Sequence, residues 1–309
     1  MTCDITLLVN PTAGRGRGAL AARPAVQTLR GCGFTVRTVV GADAAEALRR
    51  ARDAVAGGTG ALVAVGGDGM VSLALQAVAG TGTPLGVIAV GGGNDFARAT
   101  GLPIQDPGAA ARLIAASLKG DGGREVDLGR VDNLGRVGDV WFGTVLASGF
   151  DSRVNERGNR MRRPRGRLRY DLAMLAELAA LKPVRYRMSL DGGPQREVEA
   201  TLIAVGNGTS YGGGMRICAR AVLDDGLFDI TVVGPCSRTT LLTVFPRVYR
   251  GTHLGHRVVT THRAASVSLA AEGLTAYADG ERLGPLPLTA TAVPGAVRLL
   301  GTPGPGTGA

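Results

Sequence analysis

The chain has 309 residues, a length typical of two domains. Its hydrophobic fraction of 45% supports a sizeable core and excludes a wholly disordered chain, and its aromatic fraction of 4% indicates an aliphatic core. The net charge of +10 rests almost wholly on arginine, because Lys119 and Lys182 are the only lysines. Neither lysine follows a glycine, so the signature G-x-x-x-x-G-K-[ST] is absent and a P-loop NTPase is excluded.

The patterns of cysteine, histidine and hydropathy disfavour several further classes of protein. The four cysteines include no C-x-x-C pair, which is typical of reduced thiols in a cytoplasmic protein. The three histidines lie between 253 and 262 with no nearby acidic residue, and we expect them at the surface rather than on a metal. The N-terminus lacks the basic start and apolar run of a signal peptide. The uncharged stretch 69–94 is divided by glycines and Pro84 into pieces far shorter than the ~20 residues of a membrane span.

The first 120 residues alternate predicted strands with predicted helices. The strands are placed at 5–9, 34–40, 61–65 and 85–90. The helices are placed at about 19–30, with a break or early turn at Pro24, at 44–56 behind the cap Asp43, and at 70–79, 95–100 and 107–118. Continuous apolar strands that alternate with helices are typical of a parallel sheet covered on both faces. We therefore predict an α/β domain over residues 1–124.

The pattern changes to a succession of strands after residue 124. Two helices interrupt it, at about 168–181 and 237–250. The predicted strands are 124–132, 137–148, 184–190, 196–205, 227–233, 265–270, 274–278, 286–292 and 296–300. This pattern predicts an all-β domain over residues 125–300, built as an antiparallel β-sandwich, followed by a flexible Gly/Pro-rich tail at 301–309.

Glycine-rich loops follow three of the four strands of the first domain. They are Asn10–Gly18, Gly66–Gly69 and Gly91–Asp95. The carboxyl ends of parallel strands share one edge, glycines let the backbone approach an anion, and helix N-termini offer N–H groups to phosphate. Three such loops on one edge predict a phosphate or nucleotide site.

Two acids within these loops refine that prediction. Asp68 and Asp95 would repel phosphate unless a cation intervenes, and Mg²⁺-bound nucleotide resolves the conflict. Asp95 can also cap the following short helix, and the two roles are compatible. The dinucleotide fingerprint G-x-G-x-x-A fits residues 14–19, but the acid expected at the end of the second strand is missing, which disfavours a Rossmann dehydrogenase.

The loop motifs and several later ones, taken together, resemble the bacterial diacylglycerol kinase family, which includes the sphingosine kinases. The GGDG turn alone is shared with NAD kinases and phosphofructokinases, whereas its combination with NDFAR and a late DGE is specific. The resemblance covers about residues 5–300. The motifs are Asn10–Gly14, Gly66–Gly69, Gly93–Arg98, Ser148–Asp151, Gly206-Asn207, Gly212–Gly214, Asp224–Gly226 and Asp279–Glu281.

The resemblance implies a phosphofructokinase/NAD-kinase-like ATP-binding domain, a β-sandwich domain, and transfer of the ATP γ-phosphate to a lipid hydroxyl between them. It implies Glu281 as the catalytic base and Asp68 as its partner acid. It also implies a Mg²⁺ at Asp225 with the carbonyls of Val222 and Leu227, where a plain turn is the alternative. The implied nucleotide contacts are Asn10, Pro11, Thr12, Ala13, Gly14, Thr38, Gly67, Asp68, Gly69, Met70, Val71, Ser72, Leu73, Gly92, Asn94 and Asp95.

The chain departs from the family pattern at three places. Met70 replaces a usual threonine, Ser72-Leu73 replaces a usual Asn-Glu pair, and Gly92 replaces the threonine of GTGND. Each lost hydroxyl removes a hydrogen bond of ~0.5–1.5 kcal/mol, so weaker ATP binding or altered nucleotide preference is expected. An ATP-dependent diacylglycerol kinase is the favoured interpretation; an NAD kinase-like phosphotransferase and a degenerate nucleotide- or lipid-binding homologue stay open.

Eight arginines crowd the segment 153–169, with Glu156 as the only acid among them. A solvated loop, an anionic membrane surface and nucleotide phosphates are alternative explanations, and no motif supports nucleic-acid binding. We expect a cytoplasmic protein that associates peripherally with membranes and takes a lipid acceptor. Homodimerisation stays open.

Overall fold

The computed structural model describes residues 4–10, 13–120, 123–132, 139–161, 176–177, 180 and 182–302. Its first domain is built on four parallel strands, in the spatial order β2-β1-β3-β4. Because the order reverses at β1, a crevice opens beyond the carboxyl ends of β1 and β3, where open α/β sheets bind ligands. The strands are β1 (Asp4–Val9), β2 (Thr35–Val39), β3 (Ala61–Gly66) and β4 (Leu85–Ala89).

Five helices cover the two faces of this sheet. Leu7 and Val63 face α1 and α5, whereas Leu8 and Leu62 face α2, α3 and α4, so each face has its own buried core. The side chain of Asp43 accepts the N–H of Glu46 and caps α2, as predicted. The helices are α1 (Ala13–Gly31), α2 (Ala44–Ala56), α3 (Asp68–Val78), α4 (Asp95–Thr100) and α5 (Pro107–Lys119).

The beginning of α1 corrects the prediction. The glycine-rich loop was expected to extend to Gly18, but the helix begins at Ala13, and Pro24 lies inside it without breaking it. Glycine and proline disfavour helix, but α1 buries Ala25 and Leu29 against the sheet, and this tertiary packing outweighs the local preference.

The second domain is a β-sandwich. One sheet is antiparallel throughout, with the order β12-β11-β10-β7-β14-β15, and the other contains β5, β6, β8, β9, β13 and β16. Side chains such as Phe142, Tyr186 and Phe228 fill the core between the sheets. The elements are β5 (Arg124–Asp132), β6 (Val140–Phe142), β7 (Val145–Gly149), α6 (Phe150–Arg160), β8 (Val184–Leu190), β9 (Arg196–Ala200), β10 (Leu202–Gly206), β11 (Phe228–Val233), α7 (Arg238–Arg250), a 3-10 turn (Thr252–Gly255), β12 (Val259–Ala264), β13 (Ser266–Ala270), β14 (Thr275–Ala278), β15 (Glu281–Pro285) and β16 (Leu288–Leu299).

The last strand joins the two domains. β16 pairs with β5 and β13, and its end lies parallel to β4, with Leu299 opposite Leu85. Val297 and Leu299 are buried in the core of the first domain. One ten-stranded sheet therefore runs through both domains, and the boundary at 124–125 stays a prediction.

Several predicted strands have different limits in the structure. The predicted strand 196–205 is two strands, because the chain passes from one sheet to the other at Thr201. The predicted pair 286–292 and 296–300 is the single strand β16, in which Pro294-Gly295 forms an irregularity rather than a turn. β12, β15 and α6 were not predicted. Most of the predicted helix 168–181 lies outside the described residues, as do residues 162–169 of the arginine segment and the tail beyond residue 302.

Within the described parts of the chain, no helix combines the length and the hydropathy needed to cross a bilayer.

One histidine departs from expectation: His253 is fully buried rather than exposed, and its Nε2 donates to the carbonyl of Ile217 at 2.9 Å. Burial lowers the pKa of His253, so its imidazole is neutral at pH 7.

Candidate functional site

The three strand-end loops meet at one edge of the first sheet. The N–H of Asn10 donates to the carbonyl of Val65 at 3.3 Å, which connects the first loop to the end of β3. The other two loops touch through glycines, since a Cβ on Gly91 would lie 2.4 Å from the Cα of Gly67. Gly67 also precedes α3 and offers no capping side chain, which leaves the first N–H groups of that helix for an anion.

The contact between Gly67 and Gly91 gives a testable consequence. Gly91→Ala must push two backbone segments apart, and we expect it to lower the free energy of unfolding by about 1–3 kcal/mol and to weaken nucleotide binding. Gly92→Ala is the matched control for stability, because no atom of the described residues lies within 4 Å of a Cβ at Gly92. Urea unfolding and ATP titration calorimetry compare the two variants. Equal stability of both would contradict the close approach of the loops.

Asp68 holds the loop between β4 and α4. Its Oδ2 accepts the N–H of Asn94 and its Oδ1 that of Asp95, both at 2.6 Å. Asn94 has left-handed backbone (φ 56°), and its own side chain hydrogen-bonds both the N–H and the carbonyl of Gly91. A carboxylate at the start of α3 therefore caps α4 and fixes the shape of the neighbouring loop.

Asp95 connects the two domains. Its carboxylate oxygens accept the N–H groups of Gly213 and Gly214, each at 2.7 Å, from the glycine loop after β10. Burial raises the pKa of Asp95, the charge of Asp68 adds to the rise, and the two backbone hydrogen bonds oppose it. The alternative role of Asp95 as the cap of α4 is not observed, because Asp95 is the first residue of the helix and Asp68 supplies the cap.

Asp279 anchors the hairpin that carries Glu281. Asp279 and Gly280 both have positive φ, 51° and 82°, which gives a tight two-residue turn between β14 and β15. The Asp279 carboxylate accepts the N–H groups of Gly143 and Thr144, both at 2.8 Å, and the Thr144 hydroxyl at 2.5 Å. Burial raises the pKa of Asp279, and the charge of Asp68 contributes to that rise.

Glu281 lies against the glycine turn Gly66–Gly69 of the opposite domain. It is the first residue of β15 and its side chain is exposed. Its Oε1 would lie 3.4 Å from a Cβ placed on Gly69, so the carboxylate reaches the N-terminus of α3. The structure therefore brings Glu281 beside Asp68-Gly69, and its role as a base stays a prediction.

The remaining predicted nucleotide contacts have mixed environments. The side chains of Met70 and Val71 are buried in the first core, so only their backbone could meet a ligand. Leu73 is partly buried against the same core, and Ser72 is half-buried. Thr38 is exposed on β2, opposite Leu7. Ala13 and Gly14 lie in the first turn of α1, whereas Pro11 and Thr12 lie outside the described residues.

The predicted metal position lies in the turn before β11. Asp225 accepts the N–H of Leu227 at 3.0 Å and forms an ion pair with Arg263, while Val222 exposes its side chain. A cation would compete with Arg263 for this carboxylate. No group of three or more His, Cys, Asp or Glu able to hold a metal occurs in the part of the chain that the structure describes. The Mg²⁺ at Asp225 stays a prediction.

The sequence did not indicate the long-range contacts that assemble this site, either between the domains at Asp95 or within the second domain at Asp279. In the sequence, Gly213 and Gly214 form only a glycine motif, and Asp279 is only part of a turn. Their partners Asp95 and Gly143 are 118 and 136 residues away in the chain, a separation at which local patterns carry no signal.

Comparison with known proteins assigns the family. Residues 4–131 match the diacylglycerol kinase catalytic domain, and residues 144–301 match the YegS C-terminal NAD kinase beta sandwich-like domain. The chain is 46% identical over 297 residues to a diacylglycerol kinase of Mycobacterium tuberculosis, covering 96% of this chain and 94% of that protein.

Two solved structures share the fold. A putative diacylglycerol kinase from Bacillus anthracis has a TM-score of 0.77 at 22% identity, covering 96% of this chain and 94% of that one. An NAD kinase from Archaeoglobus fulgidus in complex with ATP has a TM-score of 0.54 at 12% identity, covering 99% and 94%. These likenesses confirm the predicted fold class, an α/β domain followed by a β-sandwich, and the NAD kinase structure shares that fold. Together with the motif-bearing cleft, the sequence matches show that the chain belongs to the diacylglycerol kinase family of lipid kinases.

Proposed function

We propose that this chain transfers the γ-phosphate of ATP to diacylglycerol and produces phosphatidic acid, with Mg²⁺ as the metal. The observation that carries the proposal is the position of Glu281, whose carboxylate reaches Gly69 across the cleft between the domains. A carboxylate from one domain is thus held beside the anion-binding loop of the other. The 46% identity to a protein named diacylglycerol kinase supports this acceptor.

The residues of the cleft fit a Mg²⁺-nucleotide. The uncapped start of α3 and the open space at Gly92 leave room for phosphates. Mg²⁺ usually takes one or two carboxylates together with substrate phosphates and waters, and Asp68 and Glu281 offer carboxylates at this edge. Bound there, Mg²⁺ would neutralise charge on the transferred phosphate.

Glu281 acts as the general base in this proposal. Its carboxylate accepts the proton of the lipid hydroxyl as that oxygen forms a bond to the γ-phosphorus. The bond from the γ-phosphorus to the oxygen bridging it to the β-phosphorus breaks, and ADP leaves. Asp279 acts as a positioning residue, because its three hydrogen bonds fix the turn from which Glu281 projects.

The proposal includes cytoplasmic location and reversible contact with an anionic membrane, since diacylglycerol resides in the bilayer. Membrane contact is one of the alternatives left open for the arginines of 153–169, of which the structure describes the side chains of Arg153 and Arg157. Binding of nucleic acid is not proposed, and a homodimer stays an open expectation.

A kinase assay on purified protein tests the proposal. Labelled ATP and Mg²⁺ are supplied with a panel of lipids in mixed micelles, and with NAD in a separate arm, and products are identified by mass spectrometry. Label in phosphatidic acid supports the proposal. Label in NADP supports an NAD kinase, and ATP binding without turnover supports a degenerate homologue; either result overturns the proposal.

The open space at Gly92 predicts a gain of affinity. Gly92→Thr supplies the hydroxyl of the GTGND pattern that this chain resembles, and a new neutral hydrogen bond of about 0.5–1.5 kcal/mol should tighten ATP binding about two- to tenfold. Gly92→Val is the matched control, since valine has the same shape without the hydroxyl. Equal ATP affinities of the two variants would show that the hydroxyl does not cause the tighter binding.

A further inference from the structure

The outer face of α7 carries exposed apolar side chains. Leu242 and Tyr249 are seven residues apart and therefore share one face, and their side chains are 54% and 42% exposed. Pro246 lies between them on the same stripe and is also exposed. An exposed stripe of one aliphatic, one aromatic and one proline side chain suits an apolar environment.

Arginines surround this stripe. Arg238, Arg247 and Arg250 are exposed on α7, which contains no acidic residue. The chain has no Asp or Glu from residue 230 to residue 271. The loop 208–223 is also free of acids, and it contacts the end of α7 through the N–H of Arg216, which donates to the carbonyl of Val248. The outer face of α7 is therefore apolar at its centre and positive around it.

The inner face of α7 covers a small apolar cavity of the second domain, with a volume of about 30 Å³. Val244 and Val248 line the cavity, opposite Phe150 at the start of α6. Phe245 also lines it and contacts Tyr249 edge to face at 6.0 Å, which fixes the exposed ring. The start of α6 and the inner face of α7 therefore border the same cavity.

We propose that the outer face of α7 docks the protein onto an anionic lipid bilayer, with Leu242 and Tyr249 inserted at the headgroup boundary and the three arginines on lipid phosphates. Helices that lie at a membrane interface typically carry apolar side chains flanked by basic residues. A second copy of this chain fits the face poorly, since a twofold contact would set arginines against arginines. The biological role of this docking rests on the proposed lipid acceptor. Docking itself does not, because it requires no turnover.

Vesicle co-sedimentation without ATP tests the proposal. Wild-type protein should bind phosphatidylcholine vesicles that contain phosphatidylglycerol, bind pure phosphatidylcholine vesicles weakly, and dissociate as salt is raised. Arg238→Gln/Arg247→Gln/Arg250→Gln should weaken binding about tenfold or more, since basic residues near an anionic surface each contribute severalfold. Arg23→Gln/Arg112→Gln/Arg187→Gln removes the same charge from exposed positions elsewhere and should bind like wild type.

The apolar contribution is tested separately. Leu242→Gln/Tyr249→Gln should weaken vesicle binding about tenfold, whereas Leu20→Gln, at a leucine 71% exposed on α1, should not. Tyr249→Trp should show a blue-shifted emission on anionic vesicles, and Leu20→Trp should not. Thermal unfolding confirms that each variant is folded.

The outcomes separate this inference from the proposed function. Wild-type affinity for anionic vesicles in both α7 variants, or no vesicle binding by the wild type, overturns the docking surface. Equal losses in the α7 arginine variant and its charge-matched control also overturn it, because net charge alone would explain them. Kinase activity in nonionic mixed micelles should persist in the α7 variants; vesicle binding by a protein without kinase activity would leave docking standing and remove the proposed function.

Discussion

Glu281→Gln is expected to lower turnover by about 10²–10⁴-fold, the usual effect of losing a general base. The change keeps the shape of the side chain and removes its basicity. A lipid hydroxyl is a poor nucleophile at neutral pH, and Glu281 is the carboxylate that the second domain places against the loop at Gly69. ATP affinity should change little, because the loops that would contact phosphate belong to the first domain.

The matched control is Glu272→Gln, the same chemical change at an exposed glutamate between β13 and β14. Initial rates at saturating ATP give turnover, and calorimetry gives ATP affinity for both variants. Turnover above about a tenth of wild type in Glu281→Gln lies outside the range expected for a lost base and would assign proton transfer to another residue.

The first domain was predictable because its signals are local. The alternation of apolar strands and helices gave β1 to β4 and α2 to α5 within a few residues, and Asp43 marked the start of α2 correctly. The failure at α1 has a physical cause, since glycines and Pro24 predict a loop or a break, whereas burial of Ala25 and Leu29 supplies the stability of the helix.

The second domain was predicted in type but not in detail. The sequence indicated many strands, but nothing in it signals that the chain passes from one sheet to the other at Thr201. Pro294-Gly295 is typical of a turn, although it lies within β16. The loops of the site were identified from glycine and acid patterns. The contacts that assemble them, Asp95 with Gly213 and Asp279 with Thr144, join distant parts of the chain and became visible only in three dimensions.

Asp68→Ala is expected to lower turnover by at least about 10²-fold, because displacement of reacting groups by about 1 Å has an effect of this size. Asp68 fixes Asn94 and Asp95 by two hydrogen bonds of 2.6 Å, in the loop where the Mg²⁺-nucleotide is proposed to bind. Alanine removes both the cap of α4 and the negative charge. The free energy of unfolding should fall by about 0.5–2 kcal/mol, the usual loss for a helix cap.

Asp43→Ala separates the cap from the chemistry. Asp43 caps α2 through one hydrogen bond of 2.8 Å to the N–H of Glu46, so its removal should destabilise the protein by a similar amount and leave turnover unchanged. Urea unfolding and lipid kinase rates, measured on both variants, give the comparison. If Asp68→Ala loses stability as Asp43→Ala does and keeps its turnover, Asp68 serves only as a cap, and the acid within the phosphate loop has no part in the reaction. If turnover collapses in Asp68→Ala alone, Asp68 takes part in the reaction through its charge or through the loop that it positions, because the stability lost with a helix cap is common to both variants.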